Sequence, residues 1–164
     1  MTDLVRFFRA DRFAGASGVR LEEVRPGYAR ASLAVRDRHL NAVDVAQGGA
    51  VFTLADLAFA ACSNSHGTVA VAVAATIQFA RPGRKGRLVA EAREVARSTK
   101  LSSVEVRVSD REGRPVALFT GLAYRKEETL AEVEQARRAA AGRGRGRRRS
   151  PSPGGRRPRR GAKR

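Results

Sequence analysis

Cysteine is almost missing from this 164-residue chain: there is one, Cys62. An intrachain disulfide is therefore impossible, and the chain must be held by its core, which fits a reducing compartment. Cys62 lies in an apolar run, so it reads as a small buried hydrophobe rather than a nucleophile. Histidine is scarce too. The two residues, His39 and His66, sit beside turns and read as exposed loop residues, and no His, Cys, Asp or Glu cluster has ligand spacing, so no metal is expected. No Gly-x-Gly-x-x-Gly follows a strand, which removes the usual dinucleotide loop. Tryptophan is absent, and no aromatic residue lies beyond Tyr124, so the C-terminal part cannot stack bases. No apolar run reaches the roughly 18 residues of a membrane span. Met1 to Arg9 is charged and has no secretory apolar core. The expectation is a soluble, cytoplasmic protein with no membrane partner.

Acids are in short supply as well: 33 Lys and Arg stand against 16 Asp and Glu, a formal charge of +17. The excess is uneven. From Glu127 onward there are 13 basic and 4 acidic residues, 13 − 4 = +9, which leaves +8 for the first 126. What is present in quantity is apolar side chain, 42% of the sequence, enough for one domain with an extension. The division expected is a domain over residues 1–126, a helix-prone Glu- and Ala-rich extension over 127–141, and a disordered Arg-, Gly- and Pro-rich tail over 142–164. The tail has two readings: a polyanion- or nucleic-acid-binding segment acting through charge, or a solvated extension.

The domain is organised around His39 to Gly67. A loop from Arg36 to Ala46 leads to Gln47-Gly48-Gly49, and Ala50 to Cys62 follows, apolar on every face except for Thr53 and Asp56. Such a pattern predicts a buried helix, stopped by Ser63-Asn64-Ser65-His66-Gly67. Asp56 then sits mid-helix among Leu54, Ala55, Leu57 and Ala58. A carboxylate there is costly unless it is paired or used. One reading is structural, with Asp56 bonded to an arginine or a backbone donor. The other is a general base or nucleophile in a water-poor pocket. The glycine pair favours the second, because N–H groups at a helix start have no partner within the helix, and glycine lets a substrate oxyanion approach them. Gly48 and Asp56 are eight residues apart, roughly 12 Å along a helix. They cannot meet one carbonyl group from the same chain. Two copies packed antiparallel about a two-fold axis bring Gly48 of one near Asp56 of the other, so the spacing predicts a dimer with shared sites.

Around the centre, residues 2–14 read as a short helix, with Phe7 and Phe8 covering an open end of the core. Strands are predicted at Val19–Arg25 and Tyr28–Val35, joined at Pro26-Gly27. Val69 to Phe79 is an unbroken apolar run, read as a strand buried on both faces. Arg87 to Arg97 and Leu101 to Ser109 alternate, with Leu88, Ala90 and Ala92, then Val104, Val106 and Val108, on one face. Asp110 to Gly113 is a hairpin turn, and Val116 to Tyr124 the last strand. The expected class is α+β, a mostly antiparallel sheet around one apolar helix.

Asn41, Gln47-Gly48-Gly49, Leu54-Ala55-Asp56, Asn64-Ser65, Thr76 to Gly83 and Val116 to Gly121, in that order, resemble the hotdog-fold acyl-CoA thioesterases of the phenylacetate-degradation (PaaI-like) type, in the 4-hydroxybenzoyl-CoA thioesterase superfamily. The resemblance spans about residues 10–126. It implies hydrolysis of an acyl- or aryl-acyl-CoA thioester, with Asp56 as base or nucleophile, Gly48 and Gly49 as carbonyl-polarising donors, and Asn41 and Gln47 orienting substrate or water. A tetramer of paired dimers is also implied. Coenzyme A is then part of the substrate, and no resident cofactor is expected. The family usually has His-Gly-Gly where this chain has Gln47-Gly48-Gly49. Glutamine carries no proton at this position, so it is left a positioning role. Arg81, Arg84, Lys85, Arg97 and Lys100 flank strand ends and are candidates for the coenzyme A phosphates; as structural residues they form a solvated basic rim. Without the resemblance, Asn41 reads as a turn residue. The competing functions are a hotdog protein that binds acyl-CoA without cleaving it, a hotdog dehydratase or hydratase, for which the helix has no paired acid and base, and a polyanion-binding protein acting through its tail.

Overall fold

The computed structural model describes residues 3–146. The first strands form where pattern and turn chemistry agree: β1 is Val19–Arg25 and β2 Tyr28–Val35, an antiparallel hairpin turned at Pro26-Gly27. A 3₁₀ turn over Asp37–His39 and a loop lead into α3, Gly48–Ser63. Then come β3 (Thr68–Phe79), β4 (Gly86–Arg97), β5 (Leu101–Ser109) and β6 (Pro115–Thr129). All pairings are antiparallel, in the order β1-β2-β4-β5-β6-β3. One sheet with a long helix against its inner face is the expected α+β hotdog architecture.

The inner face shows why the helix sits so close. Alternation puts Ala29, Ala31 and Leu33 of β2, Leu88, Ala90 and Ala92 of β4, and Val104, Val106 and Val108 of β5 inward, all buried. Alanines on the sheet meet Ala55, Ala58 and Ala61 on α3, and Phe59 and Phe119 fill the larger gap at a ring separation of 5.5 Å. Gly121 is part of that fit: a Cβ there would stand 2.6 Å from Phe59 Cε2.

Three expectations need correction. The N-terminal segment is two short helices, α1 (Leu4–Phe8) and α2 (Arg12–Ala16), because Asp3 and Asp11 each start a new helix by accepting an N–H at its first turn. Phe8 packs on the core as expected. The apolar run Val69–Phe79 is not a strand buried on both faces: β3 lies at the sheet edge, bonded to β6 alone, with Val73 and Phe79 more than half exposed. An apolar run reports that a strand avoids water, not which neighbour covers it. The last strand also runs further than Tyr124, through Thr129, because Thr68 and Ala70 at the start of β3 still pair with it. The extension helix α4 accordingly starts at Leu130, which is buried and donates its N–H to Gly67 O, and continues through Gly146. Helix thus reaches the first residues of the segment expected to be disordered; residues 147–164 of that segment lie outside the described residues. No helix among the described residues is long and apolar enough to cross a membrane.

Candidate active site

Gln47 is the N-cap of α3. Its Oε1 accepts the N–H of Gly49 and of Ala50, the latter at 3.2 Å. Two of the donors that helices leave open at their start are therefore occupied. Gly48 N–H is different: among the described residues nothing accepts from it. The ring of Phe79, at the end of β3, stands over Gly48, and a Cβ there would lie 3.2 Å from Phe79 Cζ. A side chain at this position would press the ring outward by a few tenths of an ångström. Gly48 is thus the open donor of the pair, while Gly49 is held by Gln47.

α3 departs from the expected all-round burial. Gly49, Thr53, Asp56 and Ala60, spaced four, three and four residues apart, form a stripe on one side that is open or half-buried, whereas Val51, Leu54, Ala55, Ala58 and Phe59 are buried. Asp56 is in that stripe. It has no hydrogen bond or ion pair among the described residues, so the arginine or backbone partner of the structural reading is not there. Burial, with a smaller contribution from the negative charge of Asp11, raises its carboxyl above the ordinary aspartate range. A cavity of about 340 Å³ is lined by Phe8, Asp11, Ala14, Leu21 and Leu57, the residue that follows Asp56 on α3.

The other candidates separate. Asn41 is exposed and holds its own loop: Oδ1 accepts from Val43 N–H at 3.0 Å and Val45 N–H at 3.3 Å, the turn role. Its amide nitrogen makes no hydrogen bond among the described residues. The loop is fixed to the helix start because Gln47 N–H donates to His39 O at 2.8 Å. Arg81, Arg84 and Lys85 lie at this end of α3, close to where Ala46 N–H donates to Gly83 O at 2.7 Å. Arg97 and Lys100 do not join them. They close the β4–β5 hairpin at the far end of a twelve-residue strand, where Arg97 lies 3.9 Å from Glu94 and Lys100 3.2 Å from Glu127.

Both histidines are corrected. His39 is buried, with Nδ1 accepting Arg36 N–H at 2.9 Å. His66 is half-buried and bonds Glu94 at 2.7 Å; Glu94 also accepts from Ser102 at 2.6 Å. The partner of His66 comes from β4, which no local pattern joins to it; His39 bonds Arg36, three residues back, and the local signal was the 3₁₀ turn between them. Burial pushes the Cys62 thiol up to about 12, consistent with an inert core residue. Among the described residues no group of three or more His, Cys, Asp and Glu is placed to hold a metal ion.

A family model described as the thioesterase superfamily matches residues 45–117, the stretch from the helix cap to the last strand. The acyl-coenzyme A thioesterase PaaI of Escherichia coli is 34% identical over 119 residues, 72% of this chain and 85% of that one. The solved E. coli PaaI structure, from the phenylacetic acid degradation operon, superposes with a TM-score of 0.73 at 34% identity, over 76% of this chain and 91% of that one. A Streptococcus mutans protein solved bound to acetyl CoA is 26% identical, with a TM-score of 0.65 over 68% of this chain and 90% of that one. With its central helix and sheet order on the page, this chain belongs to the thioesterase superfamily and is a PaaI-like, hotdog-fold thioester hydrolase.

Proposed function

We propose that the protein hydrolyses an acyl- or aryl-acyl-CoA thioester at sites shared between two copies of the chain. The observation that carries the reading is Asp56: a half-buried carboxylate without a partner among the described residues, on the helix of a thioester hydrolase. The PaaI relative is named for acyl-coenzyme A, and the S. mutans structure holds acetyl CoA.

The chemistry follows from two groups. Gly48 N–H donates to the thioester carbonyl oxygen and holds the negative charge that forms on it. Asp56 takes a proton from the attacking water, or attacks the carbonyl carbon itself to give an anhydride that water then opens. In either route the C–S bond breaks, the sulfur leaves as thiolate and is protonated, and the products are free acid and coenzyme A. Gln47 fixes the helix start with Oε1 and keeps Nε2 for substrate, and the Asn41 amide nitrogen faces the same task from the loop.

Edge strand β3 supports the shared site. Its sequence, Thr68 to Phe79, contains no charge, and an uncharged, exposed, apolar edge is a template for pairing. Pairing β3 with its copy about a two-fold axis joins the two sheets and lays the open stripes of the two α3 helices side by side. Gly48 of one protomer then approaches Asp56 of its partner, and two such dimers form the tetramer the family resemblance implies. For residues 142–164, which carry 11 basic and no acidic residues, polyanion contact and a solvated extension stay the two readings, and salt-dependent binding to nucleic acid that is lost on tail removal would decide for the first.

The test is a panel of aryl, short-chain and long-chain acyl-CoAs with thiol release as the readout, run on the natural chain and on Asp56→Asn. Thiol release lower by about two orders of magnitude or more, in a folded variant that still binds coenzyme A, is the expected result. A natural chain that binds acyl-CoA and releases no thiol would make this a binding protein instead.

A further inference from the structure

Asp56 is not alone among the acids in lacking a counter-charge. Asp11 is the N-cap of α2: its Oδ1 accepts Ala14 N–H at 2.9 Å, and its backbone carbonyl accepts Gly15 N–H at 3.1 Å. Ala14, one turn further on, is buried, and α2 packs on α3. The Asp11 carboxylate is therefore set on a fixed turn and not on a free loop. Its second oxygen has no hydrogen bond, and its charge no ion pair, among the described residues. Bases are plentiful, 33 against 16 acids, yet none is paired with either Asp11 or Asp56 among the described residues. The cavity of about 340 Å³ joins the two places: Asp11 lines it from α2, and Leu57, the neighbour of Asp56, lines it from α3.

The charges around α3 can be followed element by element. The residues that β2, β4 and β5 turn toward it are Ala, Leu and Val, β6 brings Phe119, and β3 has no charged residue. α1 and β1 bring Arg9 and Arg20 to the wall of the cavity, and neither is paired with an acid among the described residues. His66 and Glu94 bond each other at 2.7 Å at the C-terminal end of the helix. Asp11 is the charge that acts on Asp56, by making a second negative charge in a half-buried place more costly. Burial alone would do part of this, but burial also keeps water away. A fixed like charge holds the proton on a carboxyl without closing the site to the water that has to attack.

We propose that Asp11 is a positioning residue for the thioester hydrolysis: held at the start of α2, on the wall of the cavity that Leu57 shares, its negative charge tunes Asp56 for proton transfer. The proposal rests on the reading of Asp56 as base or nucleophile. Asp56 takes a proton from water as the new C–O bond forms and returns it to the sulfur as the C–S bond breaks, or it attacks the carbonyl carbon itself. Asp11 forms no bond and exchanges no proton in either route. A carboxylate that holds its proton more tightly is the stronger base and the better nucleophile, so the charge of Asp11 serves both.

The experiment uses Asp11→Asn and Asp11→Ser, which both keep an oxygen for Ala14 N–H and remove the charge. Two readouts are taken on each. One is the titration of the Asp56 carboxyl carbon by carbon-13 NMR of aspartate-labelled protein, its signal being the one that Asp56→Asn removes. The other is the pH profile of kcat/KM on the acyl-CoA that the natural chain cleaves best. In both variants Asp56 should titrate at lower pH than in the natural chain, and the rising limb of the profile should move the same way by the same amount. On the plateau kcat should fall by about threefold, a small part of the roughly 10²–10⁴-fold that a general base supplies, with KM little changed. An Asp56 titration that stays in place in either folded variant overturns the proposal. So does a lower rate with the limb unmoved, which is what loss of a helix cap alone would give. If the natural chain releases no thiol from any acyl-CoA, the hydrolase reading is what fails; a moved titration then still supports the action of Asp11 on Asp56, and an unmoved one overturns both.

Discussion

A carboxylate held in a half-buried stripe without a counter-charge acts on two properties at once. Burial raises the Asp56 pKa, so the folded chain binds that proton more tightly than the unfolded chain does. Its contribution to stability is therefore greatest at low pH and is lost as pH rises through the folded-state value. Asp56→Asn removes that loss: at neutral pH the variant should melt at or above the natural temperature, and the gap should close as pH falls below the ordinary aspartate range. Hydrolysis by the same variant should fall by about two orders of magnitude or more, the scale of a general base. A variant that is less stable at neutral pH, or that turns over normally, contradicts the account of this residue. The rate profile follows the same sign. With Asp56 as the proposed base or nucleophile, the ionised form would be the active one, so kcat/KM should rise with pH and level off above the ordinary aspartate range, and the limb should be absent from whatever activity Asp56→Asn retains. Gln47 belongs to this scale too. Gln47→Ala deletes the cap on Gly49 and Ala50, which costs about 1 kcal/mol of stability. Its activity should drop by about 1–2 kcal/mol for one lost hydrogen bond, well short of Asp56→Asn. Gln47→His should be tolerated, and a loss as large as that of Asp56→Asn would give Gln47 a chemical role.

At the scale of elements, what could be read in the sequence was whatever depends on neighbours along the chain. β1 and β2 run over the predicted residues because alternation and Pro26-Gly27 are local signals. The inward sets Leu88, Ala90, Ala92 and Val104, Val106, Val108 also follow from period two alone. Three of the failures share one cause. The place of β3 at an edge, the pairing of His66 with Glu94 and the stripe through Asp56 on α3 all depend on which element lies alongside, and that is decided by tertiary packing. Asp56 itself was legible because a lone acid in an apolar run is anomalous. Asp11 was not, because an acid ahead of a short helix reads as a cap until its neighbours across the fold are known. Gly121 gives a test of the packed layer. Its missing side chain leaves room for Phe59, so Gly121→Ala should destabilise by about 1–3 kcal/mol through overpacking, measured by denaturant unfolding. An unchanged midpoint would mean that the helix can shift away from the sheet.

For the whole molecule the decisive question is whether a single chain is a complete enzyme. Gly48 and Asp56 stand roughly 12 Å apart along one helix, and the proposed shared site needs a second copy to cover both the open stripe on α3 and the bare edge of β3. Val73 is on that edge and more than half exposed. Val73→Lys should therefore leave the fold intact, shift the protein toward monomer in sedimentation experiments, and remove activity together with the dimer. A mixing experiment is sharper, because it separates assembly from the chemistry of the site. One parent carries Asp56→Asn; the other carries Gly48→Pro, which deletes the N–H donor. Each alone should be nearly inactive, since every site in it lacks one of the two groups. In a mixed dimer, one of the two sites receives Asp56 from one protomer and Gly48 N–H from its partner, so activity should return toward half the natural value. Both variants must first be shown folded and dimeric, because a proline at the helix start can disturb the cap that Gln47 makes. Verified mixed dimers with no recovered activity, or a proven monomer with full activity, would place both groups in one chain. The oxyanion donor for Asp56 would then have to come from somewhere other than Gly48.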